Sequence, residues 1–362
     1  MDITELDKNF DLPPLDEPDV EWFDASKEPF SLHGIYFNEE EGRFRRMPQD
    51  VANTVNPGVR YFSTYSTGGR LRFRTDSPYV AIKCVIPTEH CMPHMPLTGS
   101  HGFSLYTNGV FQAVYFVKVK EIYDSKLDSP YAFQLSNNFK RTDLRDIEMY
   151  FPLYNGVLTL FIGLKKGSQL LPHKEYKHKK PMVFYGSSIT QGGCASRTGN
   201  DYISHLGRML DSDFINLGFS GSAKAEPTMV DYLASLDASV FVLDYDHNAP
   251  TYEHLEKTHY PLYKTIRDKH PDTPIVMISA PGPEYKEQGF ERRDLIKGTY
   301  ERAKKEGDNN VYFIDGYTLF GNEDREVCTV DLCHPNDIGF YRMAHTIYPV
   351  LDKILNKLFK SD

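Results

Sequence analysis

Around residues 172–181 (PHKEYKHKKP) the hydrophobic pattern of this chain changes period, and no other feature constrains its fold as much. Before that point, short stretches alternate apolar with polar residues and are rich in β-branched and aromatic side chains: VRYFSTYS (59–66), RLRFRTD (70–76), YVAIKCVI (79–86), FSLYTNG (103–109), FQAVYFVKV (111–119), IEMYFPLY (147–154) and VLTLFIGL (157–164). Successive side chains on a strand point to opposite faces, so such alternation describes half-buried sheet. Turn-forming pairs at Gly68-Gly69, Asn108-Gly109 and Asn155-Gly156 separate the stretches, which predicts a β-sandwich in the jelly-roll style. Beyond the change come MVFY (182–185), DFINL (213–217), VFVLDY (240–245), PIVMIS (274–279) and VYFID (311–315), short apolar runs of the kind that parallel strands covered on both faces require. Helical stretches are expected between and after them, near 201–210, 228–236, 252–269, 291–306 and 338–359. The alternation predicts a doubly wound, flavodoxin-like domain: a five-stranded parallel sheet in a three-layer α/β/α arrangement.

A chain of 362 residues is long for a single core, which stops growing near ~250 to 300 residues, so two domains are expected. The boundaries follow from the pattern: an N-terminal arm and sandwich over 1–171, with a strand around Gly34 to Phe37, a basic polar linker over 172–181, and the α/β domain over 182–362. A net charge of −9 argues against nucleic acid as a partner, since a basic face is needed to displace phosphate counterions. The opening MDITELDKNFDLPPLDEPDVEW has neither a basic n-region nor an apolar h-region, and no run of ~18 apolar residues occurs, so no membrane association and a cytoplasmic setting are expected. The five scattered cysteines fit a reducing compartment better than a disulfide framework, and their spacings match no common zinc module. No metal and no cofactor is expected.

In a doubly wound sheet, ligands bind beyond the carboxyl ends of the strands. After MVFY the chain reads Tyr185-Gly186-Ser187-Ser188-Ile189-Thr190-Gln191-Gly192-Gly193. A serine on a strand-to-helix turn carries its hydroxyl at a helix N-terminus, where free N–H groups favour a developing oxyanion; a plain capping serine reads the same way. After the last strand comes Asp331-Leu332-Cys333-His334-Pro335-Asn336. In an Asp-x-x-His pair the acid can orient the imidazole and leave its other nitrogen free to take a serine proton, although a solvated surface pair is the alternative.

Two further blocks lie between these: Asn216-Leu217-Gly218-Phe219-Ser220-Gly221 and Asp244-Tyr245-Asp246-His247-Asn248. Together the four blocks resemble, in order, those of the SGNH/GDSL hydrolases over residues from about 180 to 360. With the β-rich N-terminal half, which contains Gly102-Phe103-Ser104-Leu105-Tyr106, the chain resembles the two-domain carbohydrate esterases, which deacetylate xylan, mannan or their oligosaccharides. The resemblance implies Ser188 as nucleophile, His334 as general base then acid, Asp331 as its orienter, and an oxyanion hole made by the Ser188 and Gly221 N–H groups with the Asn248 amide. The chain departs from the family in two ways: Ser187 stands where an Asp precedes the nucleophile, and the third block lacks its usual glycine.

Arg197, Glu226 and His247 are candidates for the alcohol side of the substrate, each with a structural or solvated role as the alternative. His90, His94 and His101 surround the Pro-containing loop CMPHMPLTGSHG, which could be a surface feature, a loop reaching the active site, or a metal site. His254, His259 and His345 fall on expected helices, where a solvated or satisfied imidazole is the default. The expected activity is metal-independent removal of acetyl groups from O-acetylated xylo- or manno-oligosaccharides through an acyl-enzyme. A lipase or thioesterase of the same fold is a rival, opposed by the lack of a lid-like apolar insertion between the third and fourth strands of the α/β domain. The other rival is a catalytically silent carbohydrate-binding protein. Self-association as a homo-oligomer is compatible with a sandwich but has no motif behind it.

Overall fold

The computed structural model describes residues 6–7, 15–87, 91–116, 131–139 and 141–359. His90 and the end of the FQAVYFVKV stretch lie outside them. The N-terminal half contains β1 (Val20–Asp24), β2 (Ser31–His33), β3 (Tyr36–Asn38), β4 (Arg43–Arg45), β5 (Arg70–Thr75), β6 (Tyr79–Ile86), β7 (Phe103–Thr107), β8 (Val110–Tyr115), β9 (Tyr131–Asn138), β10 (Arg145–Tyr150), β11 (Thr159–Lys165) and β12 (Leu170–Leu171). One antiparallel sheet has the order β1-β11-β6-β9; a second runs β12-β5-β10-β7-β8, with β2 also on β5. Leu71, Phe73, Val80, Ile82, Leu105, Ile147, Met149 and Ile162 fill the space between them. The alternation of RLRFRT is thus resolved: Leu71 and Phe73 enter the sandwich core, while the arginines turn to the other face, where Arg70 is fully buried against the second domain.

The arm joins the sandwich through β1, paired antiparallel with β11. The expected strand at 59–66 is instead a helix at its start, Pro57–Phe62, preceded by the helix Gln49–Val55. Its cause is local: Asn56 Oδ1 accepts the Val59 N–H at 2.8 Å, and Pro57 occupies the first helical position, where a missing N–H costs nothing. The segment 172–181 is partly strand, because the first parallel strand already begins at His178, which pairs with Ser212.

The second half contains β13 (His178–Gly186), β14 (Ser212–Gly218), β15 (Val240–Asp244), β16 (Ile275–Ile278) and β17 (Val311–Ile314), all parallel, in the order β14-β13-β15-β16-β17. Helices Tyr202–Leu210, Pro227–Ser235, Tyr252–Lys269, Gly289–Lys305 and Asp337–Phe359 cover its two faces. Their ends follow the expected chemistry; for example, Asp201 caps Tyr202–Leu210 by accepting the Ser204 N–H at 3.0 Å. The strand order reverses direction at β13, with β14 on one side and β15 on the other, so the carboxyl ends of these three strands bound one crevice. No helix among the described residues is long and apolar enough to cross a membrane.

Candidate active site

Just beyond β13, the short helix Ser188–Gln191 starts with Ser187 as its cap, the Ser187 hydroxyl accepting the Ile189 N–H at 3.1 Å. Ser and Asp are both good N-cap residues, so Ser187 keeps the capping capacity of the acid it replaces. Ser187 is fully buried, and it is Ser188 whose Oγ lies 3.0 Å from His334 Nε2. His334 Nδ1 is 2.7 Å from Asp331 Oδ2, and Asp331 Oδ1 accepts the backbone N–H groups of His334 (2.7 Å) and Cys333 (3.0 Å). Partial burial works against ionisation of Asp331, but the hydrogen bonds and charge of His334 outweigh it and hold the carboxyl below its ordinary value. The loop closes through Leu332 at φ +63°, an uncommon conformation for a branched residue, and through Val330 N–H to His334 O at 3.0 Å. Cys194 N–H donates to Pro335 O at 2.8 Å, so the histidine loop is tied directly to the segment that follows Ser188.

The loop after β14 leaves one donor open. Phe219 N–H is taken by Gly186 O (2.9 Å), Ser220 N–H by Gln191 Oε1 (2.8 Å), Ser222 N–H by Phe219 O (2.9 Å) and Ala223 N–H by Asn248 Oδ1 (3.2 Å). Among the described residues Gly221 N–H has no acceptor, and neither does Ser188 N–H. Gly221 sits at φ +63°, which a glycine adopts without strain. Because Asn248 spends its carbonyl oxygen on Ala223, its NH₂ group is the end left to donate. Among the described residues three donors, from Ser188, Gly221 and Asn248, are thus unspent, and they follow β13, β14 and β15, whose carboxyl ends bound the crevice.

Asp246, in the position of the missing glycine, anchors the turn that carries Asn248. Its carboxylate accepts from Arg292 Nε at 2.7 Å and from Ala280 N–H at 3.0 Å. Its deep burial opposes ionisation, yet the charges of Lys286 and Arg292 prevail and lower its pKa. Beside it, His247 Nδ1 faces Lys286 Nζ at 3.4 Å and Cys333 Sγ at 3.9 Å. Burial first, and the Lys286 ammonium next, push this imidazole down to about 3, so it is neutral.

The other two alcohol-side candidates are engaged elsewhere. Arg197 donates to Tyr106 OH at 2.6 Å and lies 3.8 Å over the Phe111 ring, which makes it a contact between the two domains. Glu226 Oε1 accepts from Asn56 Nδ2 at 2.5 Å, which ties the helix Pro227–Ser235 to the N-terminal half. Sequence reasoning left two nearby groups unassigned. Tyr154, from the sandwich, donates its hydroxyl to Ser188 O at 3.1 Å. His94 brings its ring to 5.7 Å from that of His334, so the CMPHMPLTGSHG loop does reach the active site. His101 is buried and bonded to Ser100 Oγ at 2.8 Å. No local pattern announces Tyr154, whereas the histidine-rich loop at least marked His94.

Residues 179–352 match the GDSL-like lipase/acylhydrolase family, and residues 20–170 match the N-terminal domain of SGNH-hydrolase-type esterases. Among solved structures, a GDSL-like lipase from Bacteroides ovatus is 29% identical over 93% of this chain and 98% of its own, with a TM-score of 0.80. A salicylyl-acyltransferase from a tetracycline biosynthetic pathway (20% identity, 93% and 98% covered, TM-score 0.76) shares the fold. So does an acetyl xylan esterase from the rumen bacterium Butyrivibrio proteoclasticus (13%, 94% and 98%, 0.60). No curated protein matches the chain.

Proposed function

The chain belongs to the SGNH/GDSL hydrolases, with both of its domains matched, and from that membership we propose that it is a serine esterase that removes acetyl groups from O-acetylated xylo- or manno-oligosaccharides. The observation that carries this reading is the unbroken relay Ser188 Oγ, His334 Nε2, His334 Nδ1, Asp331 Oδ2, at 3.0 and 2.7 Å, beside donors that have no other use. Ser188 attacks the ester carbonyl while His334 takes its proton. The oxyanion rests on Ser188 N–H, Gly221 N–H and the Asn248 amide, and the sugar alcohol leaves with the proton from His334. Water, activated by the same imidazole, then releases acetate and restores the serine.

A short acyl group is supported by what lies between β15 and β16: the turn at Asp246–Asn248 and one helix, Tyr252–Lys269, with no additional lid segment. The five cysteines are unpaired with one another, which supports action in a reducing compartment. A second reading, hydrolysis of longer acyl esters, draws on the apolar side chains Val330 and Leu332, which flank Asp331 and are 46% and 54% exposed.

Hydrolysis of 4-nitrophenyl acetate, butyrate and octanoate by the wild type and Ser188→Ala, with acetate release from acetylated xylo- and manno-oligosaccharides, separates these readings. Acetyl preference, acetate from one glycan and loss of both in the variant are expected. Faster turnover of octanoate favours the second reading, and a folded protein inert on every ester would sink both.

A further inference from the structure

His94, exposed on a loop of the sandwich, lies over the catalytic loop of the other domain. One ligand atom each from His94, Asp331 and His334 lies within 4.8 Å of the others. Two imidazoles and a carboxylate form a donor set suited to zinc, which binds such atoms at about 2.0–2.1 Å and leaves a fourth position for water. Tetrahedral geometry at those bond lengths sets ligand atoms about 3.4 Å apart, so the widest separation has to close by up to about 1.4 Å. His94 can supply that movement, since its side chain is exposed and lies beside His334 as a ring contact at 5.7 Å.

We propose that His94, Asp331 and His334 form a site for a divalent zinc-type cation whose occupation switches the hydrolase off. The inhibitory half rests on the esterase reading above; the binding half does not. Either nitrogen of His334 is costly to give up, because Nε2 faces the Ser188 hydroxyl and Nδ1 holds Asp331. A metal on the cluster therefore removes the base or its orienter, while leaving Ser188 and the oxyanion donors where they are. His94 has no part in the acyl-transfer relay, so the device would let a cation control the enzyme without altering its chemistry.

Zinc chloride is titrated into the wild type and His94→Ala, with binding followed by competition against a fluorescent zinc chelator and hydrolysis of 4-nitrophenyl acetate measured in parallel. The expected result is one zinc bound per wild-type chain with loss of hydrolysis that a chelator reverses. His94→Ala should bind zinc weaker by about tenfold or more, and keep its hydrolysis in chelated buffer and at zinc concentrations that silence the wild type. Cys333→Ser, which removes the thiol adjacent to His334, should bind zinc undiminished. Absence of zinc binding by the wild type, equal binding by wild type and His94→Ala, or binding lost with Cys333 instead, overturns the proposal. A wild type that binds zinc through His94 yet hydrolyses no ester would keep the site and remove only the esterase reading.

Discussion

At the scale of single residues, the site separates groups that do chemistry from groups that hold them. Asp331→Asn leaves the shape of the relay but supplies the wrong hydrogen-bond partner for His334, and should lower kcat by about 10⁴ with little change in KM. Asn248→Ala removes one oxyanion donor and should cost about 10²–10³ in kcat. Steady-state kinetics on 4-nitrophenyl acetate checks both, and an Asn248→Ala variant at wild-type rate removes that residue from the hole. Buried Asp244 supplies a pH effect outside catalysis. Burial raises its pKa to about 7, against the opposing hydrogen bonds from Tyr202 and Thr190. In the unfolded chain the same carboxyl ionises near its ordinary 3.8, so the unfolded state gives up the proton first. The contribution of this group to stability therefore falls as pH rises from about 4 to about 7 and is flat above, by on the order of a few kcal/mol. Asp244→Asn mimics the protonated acid and removes this loss, so its melting temperature should gain on the wild type's between pH 5 and pH 8. A constant gap across that range contradicts the assignment.

Among the elements, the turn Asp246–Asn248 shows how the fold aims a side chain. Asp246 and Arg292 are both almost fully buried, and the guanidinium also donates to Asp246 O at 2.5 Å and Ala249 O at 2.9 Å. Arg292 thus clamps both ends of the turn that presents Asn248. Removing one partner of a buried pair strands the other charge, so Arg292→Ala should destabilise by about 3–5 kcal/mol in urea unfolding and lower kcat through Asn248. An Arg292→Ala protein with wild-type stability would mean that water replaces the guanidinium freely.

Over the whole molecule, the two domains share charged groups that neither could bury alone. Arg70 of β5 donates to Asp213 Oδ1 (2.5 Å) and Phe214 O (2.9 Å) and lies 3.4 Å over the Phe214 ring. Arg46 donates to Asn216 O (3.2 Å) and Gly218 O (2.6 Å), immediately before the loop that carries Gly221. Burial pushes the Arg46 pKa down to about 9, and its guanidinium is satisfied by Phe62 O of its own half together with Asn216 O and Gly218 O across the interface, so separating the domains strands part of its hydrogen bonding. The domains should therefore unfold together. The single tryptophan, Trp22, sits in β1 of the sandwich, while far-UV circular dichroism follows the helices of the other domain, so the two urea transitions should coincide. Separate midpoints would show that the interface adds little.

Elements were legible in this chain wherever one residue pattern satisfies one environment. The apolar run MVFY needs cover on both faces and became β13, an interior strand of the parallel sheet between β14 and β15, and the alternation in YVAIKCVI became β6 of the sandwich. The serine after β13 and the Asp-x-x-His pair stand out as candidates, but their residues alone also fit a capping serine and a surface pair, and it is the resemblance of the four blocks that assigns their roles. Segment 59–66 alternates like a strand yet begins in the helix Pro57–Phe62, because the Asn56 cap and Pro57 at the first helical position outweigh the alternation. What only the tertiary structure decided is which surplus polar groups meet: Arg197 against Tyr106, Glu226 against Asn56, Tyr154 on the Ser188 carbonyl, and His94 over His334. Those pairings join residues far apart in the chain across an interface between domains. Local propensity and hydrophobic period act over a few residues and carry no information about such distances, so the packing of the two domains alone selects them.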